Sequence, residues 1–262
     1  MNKKVISAII LLIICIPIIY IGGLPFYIFG LLVALLGFKE ILNLFIKDKW
    51  SVEITSYICF LALIGTNLLQ NNFGNILNNQ LIGIIFLVFF TIMLFNYRDK
   101  KYNINQCFTT LGITLFLGIA FSVMIIVRNM SLNYFIYLFL ITITTDIFAY
   151  FVGSLFGKHK INEISPNKSW EGALGGTLFG SLISSIFYLF MINQDINIFL
   201  LLGITLFLTI IGQLGDLFFS YIKRHFNIKD FSNLIPGHGG ILDRLDSFIF
   251  VMLAFTYFVT YL

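Results

Sequence analysis

Apolar positions in this chain do not alternate with polar ones. They gather into nine long runs, near residues 5–21, 24–46, 52–69, 80–96, 107–127, 132–152, 173–192, 196–219 and 247–262. A helix that crosses the roughly 30 Å hydrocarbon core of a bilayer needs about 20 mostly apolar residues, and the runs are of that order. In lipid the backbone must satisfy its own hydrogen bonds, which a helix does within one segment. Barrel strands would alternate in hydropathy over about ten residues, whereas residues 81–95 are apolar almost throughout. The pattern predicts an all-α, polytopic integral membrane protein with about nine transmembrane helices. The first run follows Asn2-Lys3-Lys4 and passes through Ile21-Gly22-Gly23-Leu24-Pro25 straight into the second. No A-x-A-like cleavage site follows it, so it is expected to stay as a span.

The polar segments between the runs carry an asymmetric charge. With the N-terminus in the cytoplasm, fifteen of the sixteen Lys and Arg residues fall on the cytoplasmic side. They are Lys3 and Lys4, then Lys39, Lys47 and Lys49, then Arg98, Lys100 and Lys101, then Lys158, Lys160 and Lys168, and last Lys223, Arg224, Lys229 and Arg244. Only Arg128 falls outside, and the outer loops are amide-rich, as in Gln70-Asn71-Asn72 and residues 75–80. Basic residues are retained on the cytoplasmic side during insertion, so an odd number of helices with a cytoplasmic N-terminus is expected. The expected location is a cell membrane of bacterial inner-membrane type, spanned many times.

Composition narrows the classes further. The chain is 59% hydrophobic and 11% charged, against about 25% charged in an average soluble domain. With 31 Phe, 12 Tyr and a mean hydropathy of +0.96 it is neither a soluble domain nor a disordered one. Cys15, Cys59 and Cys107 sit singly, with no CxxC and no His pairing, which argues against a disulfide framework or a zinc site. The net charge of +4 comes without a basic patch, so no nucleic-acid partner is expected. No long linker or repeat divides the chain. One membrane domain is expected, with scaffold helices over residues 1–130 and the chemistry over residues 131–262. The N-terminal helices carry almost no ionisable groups away from their ends. They are read as scaffold, as lipid-facing wall or as contact with a second copy, which leaves a homodimer open.

Chemistry concentrates in residues 220–246, where seven of 27 residues are charged. Pro236-Gly237-His238-Gly239-Gly240 is a turn that calls for positive φ and allows close backbone approach. Such a turn can turn backbone N–H groups toward an anion, especially where a helix begins after it. Asp243 and Asp246 are three apart and share one face of that following helix. Capping would account for one acidic residue at a helix start, but not for two on one face beside four basic residues. Two close carboxylates repel unless a cation sits between them, and hard oxygen ligands suit Mg²⁺, which typically takes one or two carboxylates plus substrate phosphates. In the metal-free chain, neutralising Asp243 alone is therefore expected to leave stability unchanged or to raise it.

Two further carboxylates lie inside apolar runs. Asp216 ends the stretch Ile211-Gly212-Gln213-Leu214-Gly215-Asp216, and Asp146 lies deeper, in Thr144-Thr145-Asp146-Ile147-Phe148-Ala149-Tyr150. An ionisable residue in a spanning helix is a functional candidate by default, the alternative being a buried hydrogen bond to a neighbouring helix. The loop over residues 153–172 adds Gly157-Lys158-His159-Lys160 and Ser165-Pro166-Asn167-Lys168-Ser169-Trp170-Glu171-Gly172. Lys168 and the two Ser hydroxyls suit phosphate or sugar oxygens, while Lys158 and Lys160 can serve topology alone. Gly172, Gly176 and Gly180 recur every four residues and predict a small-residue packing face. There is no Walker motif and no GxGxxG after a strand.

Residues 220–246 resemble the signature of the phosphatidate cytidylyltransferase, or CDP-diacylglycerol synthase, family. That pattern runs S-x-x-K-R, four residues, K-D, a short spacer, P-x-H-G-G, two residues and D-R-x-D. Every position of it is present as Ser220, Lys223, Arg224, Lys229, Asp230, Pro236, His238, Gly239, Gly240, Asp243, Arg244 and Asp246. Residues 146–150 and 165–172 resemble the family as well, with Asn167 and Ser169 where a basic residue and Thr are usual. The motif-level resemblance covers roughly residues 144–246.

The resemblance implies transfer of a cytidylyl group from CTP to phosphatidic acid, giving CDP-diacylglycerol and pyrophosphate, with CTP and a membrane lipid as substrates. Such chemistry is mainly positioning and charge neutralisation. Asp216, Asp243 and Asp246 are assigned to Mg²⁺, with Asp146 beside them and the number of ions open. Lys223, Arg224, Lys229 and Arg244 are assigned to the phosphates of CTP or of the departing pyrophosphate. Ser165 and Lys168 are assigned to nucleotide or lipid phosphate, and Ser220, Gly239 and Gly240 to substrate. His238 is read as a ligand contact or loop anchor, because a phosphate monoester needs no strong base to attack. All of these positions fall on the cytoplasmic side of the expected topology. Two other classes compete. A CTP-dependent polyprenol kinase would transfer the γ-phosphoryl group and leave CDP. A secondary transporter would place charged sites near the midplane in paired repeats, and neither repeats nor a mirrored partner for Asp146 are found.

Overall fold

In a computed structural model of the protein, residues 3–46, 49–70, 79–96, 102–162, 164–259 and 262 are described. Among them lie nine helices: α1 (Lys3–Ile21), α2 (Gly23–Phe45), α3 (Trp50–Gln70), α4 (Asn79–Phe95), α5 (Ile104–Met130), α6 (Leu132–Phe156), α7 (Trp170–Met191), α8 (Ile198–His225) and α9 (Leu242–Phe258). The described residues form no strand, only isolated bridges at Lys160–Ser169 and Ile235–Gly239. The all-helical architecture expected from the apolar runs is the one observed. Lys47, Arg98, Lys100, Lys101 and the amide-rich residues 71–78 fall outside the described residues.

Five helices, α2, α5, α6, α7 and α8, are long and apolar enough to cross a membrane. Helices α1, α3 and α4 carry shorter apolar stretches, Ile9–Ile21, Trp50–Gly65 and Gln80–Phe95. Helix ends extend past the apolar runs because backbone hydrogen bonding continues until something replaces it. Ser131 starts α6 by accepting from Asn133 N–H, and Ser169 starts α7 by accepting from Gly172 N–H. Asn197 does the same for α8 with the N–H groups of Phe199 and Leu200. At its other end α8 runs on through Lys223, Arg224 and His225, cations that suit a helix C-terminus.

The chain divides into two compact units. The first comprises residues 1–126 with residues 231–241, and the second residues 127–230 with residues 242–262. In the first, Phe38 of α2 stacks on Phe60 of α3 with ring centroids 4.2 Å apart, and Phe121 of α5 meets Phe60 edge-on. In the second, α6 and α7 approach almost backbone to backbone. A Cβ on Gly172 would lie 2.6 Å from Ala149 O, and one on Gly176 2.6 Å from Thr145 O. The small residues at every fourth position thus form a packing face, as small-residue stripes do in lipid, where close approach brings van der Waals contact. Tyr137 of α6 hydrogen-bonds Thr205 of α8 at 2.7 Å, and Ser185 of α7 donates to the same hydroxyl.

Candidate functional site

In the second unit the close α6–α7 pair leaves a cavity of about 300 Å³. Asp146 of α6, Asp216 and Gln213 of α8, and Ser165, Asn167, Lys168 and Ser169 of the loop before α7 line it. The loop is shaped by its own hydrogen bonds. Lys168 N–H donates to Ser165 O at 3.0 Å, Ser165 N–H to Asn162 Oδ1 at 3.1 Å, and Ile161 N–H to Lys168 O at 3.1 Å. Glu171 closes its base, with His159 Nδ1 at 2.6 Å from one oxygen and the N–H groups of Lys158 and His159 on the other. The turn expected at Ser165-Pro166 thus becomes a braced loop that carries Lys168 into an ion pair with Asp216.

Around this pair the charges alternate in sign. Ser220 Oγ, one turn on along α8, lies 3.4 Å from Asp216 Oδ1. Lys223, nearly two turns beyond Asp216, donates to Asp243 Oδ1 of α9 at 2.7 Å, and the Asp243 side chain is only 3% exposed. Asp246 of α9 accepts from Ser247 N–H and lies close enough to Asp216, Asp146 and Lys223 for their charges to act on it. Asp146, Asp216 and Asp246 thus share one electrostatic neighbourhood with Lys168 and Lys223. Arg224 Nε reaches Ile164 O at 3.4 Å, which ties the end of α8 to the same loop. Lys229 and Arg244 are exposed and do not line the cavity.

One expectation changes with this geometry. The anticipated gain or neutrality on neutralising Asp243 assumed a carboxylate pair without a counter-ion, whereas Lys223 already supplies the counter-charge. Removing the charge takes a close carboxylate partner from a largely buried ammonium instead.

Among the described residues no three His, Cys, Asp or Glu side chains form a complete metal-ligating group. The donor set is nonetheless of the right chemistry for Mg²⁺. It consists of hard carboxylate oxygens, few in number, beside ammonium groups suited to phosphate, and Mg²⁺ commonly takes one or two carboxylates and completes its shell from phosphate and water.

His238, Gly239 and Gly240 lie in the first unit, on residues 231–241. Gly237 and Gly239 have φ of 79° and 83°, a region open to glycine at little steric cost. Ile235 N–H donates to Gly239 O, and His238 N–H to Ile235 O, both at 2.9 Å, so part of the turn's N–H supply is used within the turn. Ser7 of α1 donates to Pro236 O at 2.8 Å and lies 2.9 Å from His238 Nδ1. A hydroxyl has one proton to give, so with that proton on Pro236 O the Nδ1 atom is the donor to Ser7.

Three residues of these arrangements were not singled out from the sequence. Gln213 lines the cavity and donates from Nε2 to Thr177 Oγ1 at 2.8 Å. Its signal was an amide inside an apolar run, one turn before Asp216. Glu171, at the base of the loop, looked like an ordinary acidic residue in a first helical turn. Glu40 sits beside Lys39 in a helix read as scaffold, yet it is 7% exposed and bonds across about 200 residues of sequence to Ser232 and Ile241.

A family model described as the Cytidylyltransferase family matches residues 2–262. The chain is 40% identical over 253 residues to the phosphatidate cytidylyltransferase of Staphylococcus haemolyticus, covering 96% of each chain. It is 39% identical over 254 residues to the proteins of the same name from Staphylococcus aureus and Staphylococcus epidermidis, again over 96% of each chain.

Proposed function

We propose that this chain, which belongs to the cytidylyltransferase family, transfers the cytidylyl group of CTP to phosphatidic acid. A phosphate oxygen of the lipid bonds to the α-phosphorus of CTP as the bond from that phosphorus to the bridging oxygen of the β-phosphate breaks. Pyrophosphate leaves, and CDP-diacylglycerol remains in the membrane. The observation that carries this is the neighbourhood of Asp146, Asp216 and Asp246 with Lys168 and Lys223, opening on a cavity at the ends of apolar helices. Two polyanions must meet there. Ammonium groups lower their repulsion, and a phosphate monoester near neutral pH needs no base to make it nucleophilic.

Mg²⁺ would be held by carboxylates drawn from Asp216, Asp243, Asp246 and Asp146, one or two to an ion, and a bound ion would supply charge neutralisation and a template for the phosphates. Lys168 and Ser165 hold phosphate in the cavity, while Lys223, Arg224, Lys229 and Arg244 meet the phosphates of CTP and of the pyrophosphate. Ser220, His238, Gly239 and Gly240 contact substrate. The reaction side faces the cytoplasm, a reading supported by the topology in which fifteen of the sixteen basic residues would lie on that side.

Purified protein in detergent should release pyrophosphate only when CTP, phosphatidic acid and Mg²⁺ are all present. Release without lipid dependence, or none at all, would sink the assignment. In intact cells, a Cys replacing Ser232 should resist an impermeant maleimide while one replacing Asn193 reacts. Labelling of the Ser232 position from outside would reverse the orientation.

A further inference from the structure

Residues 231–241 form an irregular segment between α8 and α9. It has two glycines in left-handed geometry, one short bridge between Ile235 and Gly239, and anchors outside itself. The structure supplies them from the helices read as scaffold. Glu40 of α2 accepts a hydrogen bond from Ser232 Oγ at 2.6 Å and another from Ile241 N–H at 2.9 Å, so one carboxylate grips both ends of the segment. Ser7 of α1 holds its middle, at Pro236 O and His238 Nδ1.

Glu40 is a costly choice for a scaffold helix. A carboxylate that is 7% exposed on an apolar helix gives up water and must find its donors in the protein. The segment is built around it. A Cβ on Gly240 would lie 2.6 Å from Glu40 Cδ and Oε2, so the glycine at this position makes room for the carboxylate. Ser232 Oγ also accepts from Leu234 N–H at 3.2 Å, so the group that donates to Glu40 shapes the turn as well. A purely apolar contact could pin the segment but would not fix the directions of Ser232 Oγ and Ile241 N–H together.

From this we infer that Glu40 is a positioning residue of the enzyme, which sets the conformation in which His238, Gly239 and Gly240 present themselves to substrate. It acts through the segment and touches no reacting atom. The inference rests on the proposed role of that segment in substrate binding.

The test compares Glu40→Ala, Glu40→Gln, Ser232→Ala and the double variant Glu40→Ala/Ser232→Ala with the parent protein. Pyrophosphate release is measured in mixed micelles of phosphatidic acid with CTP and Mg²⁺. Loss of positioning should raise the apparent KM for CTP or for the lipid by about tenfold in Glu40→Ala with kcat nearly kept, since uniform binding has been lost. Glu40→Gln, which keeps one acceptor oxygen, should fall between. Ser232→Ala should raise KM by about threefold alone and by clearly less on top of Glu40→Ala, because there the bond to Glu40 is already gone and only the one from Leu234 N–H is left to lose. Hydrogen exchange at residues 232–241 should quicken in the same order.

A merely structural Glu40 would lower kcat through a smaller folded fraction and leave both KM values unchanged, and that result overturns the inference. So does additive behaviour of Ser232→Ala in the Glu40→Ala background. If Glu40→Ala does not fold, Glu40→Gln and Ser232→Ala carry the KM comparison. Inactivity of the parent protein would instead strike the proposed function, and exchange at Ile241 in Glu40→Gln would still report whether the anchor exists.

Discussion

In the first unit Glu40 is met by donors fixed in the chain, a serine hydroxyl and a backbone N–H, whereas in the second Asp216 and Asp243 are met by the ammonium groups of Lys168 and Lys223. The difference is one of exchangeability. The Ile241 N–H cannot leave Glu40 without unbending residues 231–241, and the Ser232 hydroxyl sits on a single short stem. An ammonium on a four-carbon stem is a compact point charge with rotatable donors, able to shift toward an arriving phosphate. Its carboxylate partner would then be open to a metal cation. Buried carboxylates in a membrane protein therefore do not all speak for catalysis. Those met by backbone donors hold the backbone, and one met by an ammonium beside a cavity, as Asp216 is by Lys168, is suited to bind and release charge.

The sharpest way to break this contrast is Asp243→Asn. A carboxamide offers one weak oxygen and no charge, so turnover should fall at least about a hundredfold, equivalent to about 2.7 kcal/mol in the barrier. It also removes the carboxylate that lies 2.7 Å from the largely buried Lys223 ammonium, so the folded state should lose on the order of 2 kcal/mol. Turnover against Mg²⁺ concentration and a melting curve in detergent read both effects. Near-normal turnover with unchanged Mg²⁺ dependence would make Asp243 a structural partner like Glu40.

A smaller effect is expected at Lys168, whose side chain and that of Asp216 are 28% and 24% exposed. Solvent screens such a pair, so Lys168→Met should spare the fold and lower kcat/KM about tenfold through lost phosphate binding. Unchanged kcat/KM would show that the cavity is not where phosphate binds. The smallest change belongs to Lys229, exposed beyond the end of α8. Lys229→Ala should raise the KM for CTP a few-fold with kcat kept, and a fall in kcat would move this lysine into the reacting centre.

The helices were legible because lipid leaves the backbone few alternatives, so length and hydropathy alone marked all nine. Their ends were less so. Hydropathy stops near residue 219, while α8 continues to His225, and α9 begins at Leu242 with its acidic residues already inside the helix. Asp146, Asp216 and Lys168 could be singled out because a charge in an apolar run, or beside a Ser-Pro turn, stands out locally. Their ion pairing could not, since it depends on how α8 faces the loop before α7. Glu40 carried no local mark at all. It neighbours Lys39 near a helix end and reads as a solvated pair, and only the return of residues 231–241 to the first unit reveals its use.

The central claim is that the bond broken lies between the α- and β-phosphates of CTP, and label position tests it most directly. Parallel reactions of the purified protein with phosphatidic acid and Mg²⁺ would use CTP labelled on the α-phosphate or on the γ-phosphate. Cytidylyl transfer puts α-label in the lipid fraction and γ-label in pyrophosphate. γ-Label in the lipid, with CDP as the water-soluble product, would contradict it and make the protein a CTP-dependent lipid kinase.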